Sequence, residues 1–290
     1  MPSLKDIRRR ITSVKNTQKI TKSMKMVSAA KLKRAEDAAR RSRPYAGQLD
    51  GILNQLLAGV SEDAHPLLAH RPVVKTGWLV VTSDRGLCGG FNSALLRLVE
   101  RELRDQIERK LEPGLWAVGK KARDYFTRRS YSIKGEMIGV AAAPTSADAT
   151  RIAAGAIERF IAGDLDEVVV VYNEFVSAMV QRPRIERVLP LSVPREEGSA
   201  QVLLEPIFEP SRDEMLAVLL PRVVENRIYH ALLESAAAEH AARMTAMEAA
   251  TSNASEMIES LTLQFNKARQ AAITKELMEI VGGAEALASA

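Results

Sequence analysis

The chain has 290 residues, 46% of them hydrophobic and 27% charged, with a formal net charge of +5 at pH 7, an ordinary composition for one or two water-facing domains. Aromatic residues make up only 4%, which argues against a deep ligand pocket with aromatic walls. The single cysteine, Cys88, excludes an internal disulfide, and no window approaches eighteen consecutive apolar residues, which excludes an evident membrane span.

The first predicted element runs from Ser3 to Arg43, without glycine or proline, with Pro2 at its start and Pro44 just past its end. That spacing predicts a helix of about 60 Å. Its apolar positions begin Leu4, Ile7, Ile11 and Val14, then shift phase to Ile20, Met24 and Val27, and the polar interval between them reads as a stutter. Fourteen Lys or Arg stand against three acidic residues in positions 1–43, a net of +11, so the other 247 residues carry −6. The basicity is local. The segment enters its helix at once, with no apolar signal stretch, so a cytoplasmic chain, or one held at a membrane only through partners, is expected.

Residues 45–60 keep a helical pattern through Leu49, Ile52, Leu53, Leu56 and Leu57, and Pro66 and Pro72 mark a linker. The period then changes. Trp78–Thr82, Leu115–Val118, Glu136–Val140 and Glu167–Tyr172 read as strands, alternating with helical patterns over Asn92–Lys110, Lys120–Arg129 and Ser146–Ala162. Such alternation predicts a mostly parallel, Rossmann-like sheet. Arg184–Val188 and Gln201–Leu204 are further candidate strands in a region that prolines 183, 190, 194, 206 and 210 keep from forming long helix.

From Arg222 to Val281 the chain again lacks glycine and proline, enough for a helix of about 90 Å. Met244, Met247, Ala250, Ala254, Ile258, Leu261, Phe265, Ala268 and Ala272 recur at a mean step of 3.5, the period of a helix wound around another helix. Residues 209–290 carry a net of −5, opposite in sign to the N-terminal helix. The fold class expected is therefore α/β: an antiparallel two-helix coiled coil from the N- and C-terminal helices, with a Rossmann-like α/β domain hung on one side. The expected divisions are 1–60 for the first helix and its continuation, 73–208 for the α/β domain and 209–290 for the second helix.

A strand, glycine-rich loop and helix at Trp78–Asn92 resemble a phosphate-binding turn in outline only. The loop is not G-x-G-x-x-G, and Gly90 is followed by Phe91-Asn92 rather than Lys-Ser/Thr. A tight turn that needs small residues accounts for it. Histidines 65, 70, 230 and 240 lack metal-ligand spacing, and Cys88 beside two glycines reads as a turn residue rather than a nucleophile. No catalytic residue, metal site or cofactor is expected on this chain. The basic helix lacks the aromatic interleaving and helix-turn-helix pattern of a nucleic-acid binder, and residues 1–43 have no aromatic to anchor a membrane-surface helix. A solvated face that also meets an acidic protein partner fits better, with a basic nucleic-acid-binding or structural coiled coil as the alternative.

Five segments carry a family resemblance: Ile7-Arg8-Arg9-Arg10-Ile11, the run Asn16-Thr17-Gln18-Lys19-Ile20-Thr21-Lys22-Ser23-Met24-Lys25-Met26-Val27-Ser28-Ala29, Ser42-Arg43-Pro44-Tyr45, the loop Ser83-Asp84-Arg85-Gly86-Leu87-Cys88-Gly89-Gly90-Phe91-Asn92, and the block from Phe265 to Leu277. Together they resemble the gamma subunit of the F-type ATP synthase, in its bacterial form. The resemblance implies a non-catalytic rotor shaft without cofactor. Its partners would be the hexamer of alpha and beta subunits, the epsilon subunit and the ring of c subunits, and its place the cytoplasmic face of the cell membrane. It implies beta-subunit contacts at Arg243 and Gln270, with Thr274, Glu276 and Met24 in the same region, and a foot near the c ring at Glu209. The last residues, 282–287, would run up the bore of the hexamer.

Overall fold

Five strands form one sheet in the order β3-β2-β1-β4-β5, within a computed structural model that describes residues 3–57, 60–61, 64–192 and 211–288. Strands β1 (Lys75–Val81), β2 (Glu112–Val118), β3 (Ile133–Met137) and β4 (Glu167–Phe175) are parallel, and β5 (Gln181–Leu189) returns antiparallel to β4. The strands expected around Trp78–Thr82, Leu115–Val118, Glu167–Tyr172 and Arg184–Val188 are present, whereas the one expected at Glu136–Val140 lies earlier, at Ile133–Met137, and ends before Gly139, which stands at φ +88°. The candidate strand Gln201–Leu204 lies outside the described residues. The central strands read as unbroken apolar runs because both faces are covered. Trp78, Val80, Val169 and Val171 face helices α2 (Phe91–Glu108) and α3 (Lys120–Thr127). Leu79, Val81, Val168 and Val170 face the opposite layer, which holds α4 (Ser146–Ile161) and parts of two long helices. Helix α4 starts at a capping box, Thr145 accepting from the Asp148 N–H while Asp148 accepts from the Thr145 N–H.

The long helices are α1 (Leu4–Leu57) and α5 (Arg212–Ala288), each longer than its apolar pattern suggests, and each running through a proline, Pro44 and Pro221. An interior proline removes one backbone hydrogen bond and costs about 3 kcal/mol. The carbonyls that lose their donors belong to Arg40 and Ala217, both on exposed positions. Beyond the prolines, Leu49, Leu53, Leu56 and Leu57 on α1 and Val223, Val224 and Ile228 on α5 are buried in the sheet's core. Their burial outweighs the local propensity.

Two compact units result: Met1–Val27 with Met244–Ala290, and Ser28–Arg243. This differs from the division at 60, 73 and 209. The α1 residues from Ser28 onward and the α5 residues up to Arg243 fall in the unit of the sheet, whose core takes up Leu49, Leu53, Leu56 and Leu57 from α1 and, from α5, the buried apolar residues from Leu216 to Leu232 together with Ala238 and Ala242. From Ala231 to Ala242 every residue of α5 is buried, so within its unit this stretch is enclosed on all sides rather than lying against a domain hung on one side.

In the smaller unit the two termini pair antiparallel. Gln18 Nε2 donates to Ser255 Oγ at 2.7 Å, the Thr21 and Thr251 hydroxyls meet at 2.7 Å, and Lys25 Nζ lies 2.6 Å from Glu248 Oε1. Seven residues up α1 correspond to seven down α5, which defines the register. All nine stripe positions from Met244 to Ala272 are buried or half-buried. On α1 the stutter is corrected: Leu4, Ile7, Ile11, Val14, Gln18, Thr21 and Lys25 continue one stripe in alternating steps of three and four, all buried or half-buried, whereas Ile20 is 60% and Val27 56% exposed. The phase does not shift, because the polar residues Gln18, Thr21 and Lys25 occupy seam positions where the partner helix supplies a group to bond them, the hydroxyls of Ser255 and Thr251 and the carboxylate of Glu248. Lys25–Glu248 is the cross-helix ion pair seen among the described residues, and an exposed pair of this kind contributes tenths of a kcal/mol. Charge complementarity is therefore secondary to the seam.

Candidate functional site: a socket around helix α5 and an uncovered shaft surface

In a doubly wound sheet, ligands sit outside the carboxyl ends of the strands where the strand order reverses. Here that point lies between β1 and β4, and helix α5 fills it. Ala238 and Ala242 pack on Cys88 and Phe91 from the loop after β1 and on Phe175 at the end of β4. Alanines let the helix approach closely.

The loop after β1 is built for this. The Ser83 backbone N–H donates to Asn92 Oδ1 at 3.0 Å, Ser83 Oγ donates to the Arg85 carbonyl at 2.6 Å, and Asn92 Nδ2 reaches the Cys88 sulfur at 3.2 Å. Asp84 accepts from the backbone N–H groups of Lys120 and Gly139 at 3.0 and 3.1 Å. Gly89 has φ +56°, and Leu87 is held at φ +64° with its side chain 64% exposed, a conformation that costs a non-glycine residue about 1–3 kcal/mol and persists only where the surroundings over-determine it. The glycines thus serve a turn that grips a helix. Cys88 is buried, and desolvation pushes its thiol above the ordinary range, so it is a packed neutral side chain.

Polar side chains of α5 take up backbone groups from three segments at this end of the sheet. Glu234 accepts from the Phe175 N–H at 3.0 Å. His240 Nε2 lies 3.1 Å from the Ala142 carbonyl, beyond β3. Arg243 Nη2 donates to the carbonyls of Arg85 and Gly86 at 3.4 Å and pairs with Glu239 at 2.7 Å. Asn173, at the end of β4, donates to the Phe91 carbonyl at 3.2 Å. Burial pushes the Glu239 carboxyl up, against the pull of Arg243, and desolvation pushes the His240 imidazole down, so His240 is neutral near pH 7 and donates to Ala142.

The expected contact residues fall into separate places. Arg243 is not a solvated arginine: its side chain is 11% exposed. Its contacts among the described residues all use Nη2. Gln270, Thr274 and Glu276 lie 27 or more residues further along α5, all exposed. Beyond Ala272, the last half-buried stripe position, Ile273, Leu277, Met278, Ile280 and Val281 are exposed as well. Met24 is half-buried beside the seam, and Glu209 lies outside the described residues. Sequence reasoning missed Glu234, His240 and Asn173. The signal was available in 231–242, where two glutamates and a histidine interrupt an otherwise small and apolar helix segment with no polar face. Among the described residues no group of His, Cys, Asp and Glu could hold a metal ion, and no helix is long and apolar enough to cross a membrane.

A family model described as ATP synthase matches residues 3–287. The ATP synthase gamma chain of Pelotomaculum thermopropionicum is 50% identical over 287 residues, covering 99% of this chain and all of the relative. That of Anaeromyxobacter sp. strain K is 52% identical over 290 residues, with the same coverage. The chain belongs to the ATP synthase gamma chain family. Membership extends over both units, and it displaces the nucleic-acid-binding alternative for the basic helix. Among solved structures, the central stalk and c ring of the Tetrahymena thermophila mitochondrial ATP synthase is 25% identical, with a TM-score of 0.61, covering 80% of this chain and 99% of that one. A Euglena gracilis mitochondrial ATP synthase assembly of OSCP, F1 and c ring, in rotational state 3, is 20% identical with a TM-score of 0.69, covering 98% and 94%; at that identity the match speaks for the gamma-chain fold alone.

Proposed function

We propose that this chain works as the central rotor shaft of an F-type ATP synthase, coupling ion flow through the c ring to ATP synthesis or hydrolysis at the beta subunits, with no catalytic site of its own. Its partners are the alpha and beta subunits, the epsilon subunit and the c ring. The observation that carries this is the paired termini: an antiparallel seam in one fixed register whose outer surface, basic along α1 and apolar along the end of α5, is exposed among the described residues. A rotor shifts a catalytic site's equilibrium only by the difference in contact energy between that site's states. An asymmetric shaft offers each of three sites a different face.

Arg243, Gln270, Thr274, Glu276 and Met24 are the proposed beta-subunit contacts, and Glu209 the proposed contact near the c ring. Support for Arg243 is geometric: Nη2 is anchored by the chain's own carbonyls and Glu239, which fixes the orientation of a charge that attracts a partner's carboxylate. The chain's place is peripheral, on the cytoplasmic face of the cell membrane, held there through its partners. Arg243→Ala in the assembled enzyme is expected to lower ATP synthesis in reconstituted vesicles by about tenfold, the loss of one charge-assisted contact. Unchanged synthesis would remove Arg243 from the coupling surface.

A further inference from the structure

The enclosed stretch of α5 poses a mechanical question that alanine contacts do not answer. Apolar burial is non-directional, and a helix surface made of Ala236, Ala237, Ala238, Ala241 and Ala242 is smooth. Such a surface holds a helix in place but offers little resistance to its turning about its own axis. Hydrogen bonds are directional and do resist it. At roughly 100° per residue, Arg243 lies about 180° around the helix from Glu234, and His240 lies about 120° around on the other side. Ala238 and Ala242 fall between Glu234 and Arg243. The three polar residues therefore grip the helix from three directions, and each bonds backbone of a different segment: the last residue of β4, the loop after β3 and the loop after β1.

We infer that Glu234, His240 and Arg243 act as keys that prevent α5 from turning in its socket, so that torque passes between the globular body and α5 through the backbone groups they bond, the Phe175 N–H and the carbonyls of Ala142, Arg85 and Gly86. They are positioning residues, and the inference rests on the rotor function proposed above. In that setting the sheet serves as a hub whose ligand crevice has become the keyway of the shaft. Each key makes a directional bond to a fixed backbone group, which specifies one arrangement where an apolar contact would allow several, although the buried Nδ1 of His240 has no partner among the described residues.

The test uses the full chain assembled with alpha and beta subunits, a nanorod attached at a cysteine replacing the exposed Lys110, and a non-hydrolysable nucleotide to hold the enzyme in one dwell. Angular variance of the rod is inversely proportional to torsional stiffness. E234M/H240M keeps side-chain volume but removes two of the three keys, and is expected to raise the variance about two- to threefold. E234Q/H240Q keeps an acceptor for Phe175 N–H and a donor for the Ala142 carbonyl and is expected to match wild type. Should the double methionine variant not assemble, each single variant is measured, with a smaller rise expected from each. Variance equal to wild type in the methionine variants would overturn the inference. Rotation on ATP is recorded in the same samples: a wild-type rod that does not turn contradicts the rotor function itself, whereas rods that turn with unchanged variance contradict only the keys.

Discussion

Thr21 and Thr251 offer a quantitative test of the seam. Their hydroxyls are 2.7 Å apart, Thr21 is buried, and each is also within reach of a carbonyl on its own helix, Gln18 at 3.1 Å and Met247 at 2.7 Å. Replacing either threonine by valine deletes the cross-helix bond while leaving the surviving hydroxyl its local carbonyl, so each single change should cost about 0.5–1.5 kcal/mol, the net worth of a hydrogen bond. Replacing both puts two methyl groups where two hydroxyls met, and an apolar pair of the same shape is nearly neutral. The double variant should therefore be closer to wild type than either single, with a coupling of about 1–3 kcal/mol. Urea titration of T21V, T251V and T21V/T251V, followed by helicity together with amide exchange over residues 15–27, measures the cycle. Strictly additive losses would show that these side chains do not meet, and the register deduced here would fall.

Gly119 stands at φ +94°, and a Cβ there would come 2.1 Å from the Thr82 carbonyl oxygen; Gly119→Ala should destabilise the sheet-bearing unit by about 1–3 kcal/mol or more, seen as a lower urea midpoint. The pH dependence of stability carries the signature of His240. Its folded pKa is depressed by desolvation, so the folded state resists a proton that the unfolded chain accepts. That contribution is fully present above the unfolded value of about 6.5 and is lost as pH falls toward the depressed folded value. His65, also lowered by burial, acts in the same direction, whereas Glu239, raised by burial, acts in the opposite one. The melting temperature should therefore fall between about pH 7.5 and 5.5, and His240→Gln should flatten that fall; an identical slope in the variant would show that His240 is not the titrating group.

Much of the fold is legible in the sequence because its elements have clear periods. The strands around Val80, Val118 and Val170 are continuous apolar runs, and the Met244–Ala272 stripe keeps its 3.5-residue period without interruption. The errors arose where local rules met tertiary ones. Pro44 and Pro221 look like helix ends, yet leucines and valines beyond them are buried deeply enough to carry the helices through. Ile20 and Val27 attract attention as apolar residues, but the seam follows Gln18 and Thr21, since a hydrogen bond across the interface substitutes for apolar burial. The keyed socket was hidden for the same reason: Glu234 and His240 look like ordinary polar residues on a long helix. Only the enclosed environment shows that each must have a partner. The family motif at residues 83–92 pointed to the correct loop, while its task of gripping a helix depends on α5, some 150 residues away in the chain.

The most direct test of the rotor account is single-molecule observation of this chain in a hexamer of alpha and beta subunits, with a probe on the globular body and ATP supplied. The account predicts rotation in one direction, pausing at three equivalent angles, with a Gln18→Cys/Ser255→Cys cross-link across the seam leaving it intact because both helices turn as one. A body that stays still while ATP is hydrolysed, or rotation that stops when the two helices are joined, would contradict it.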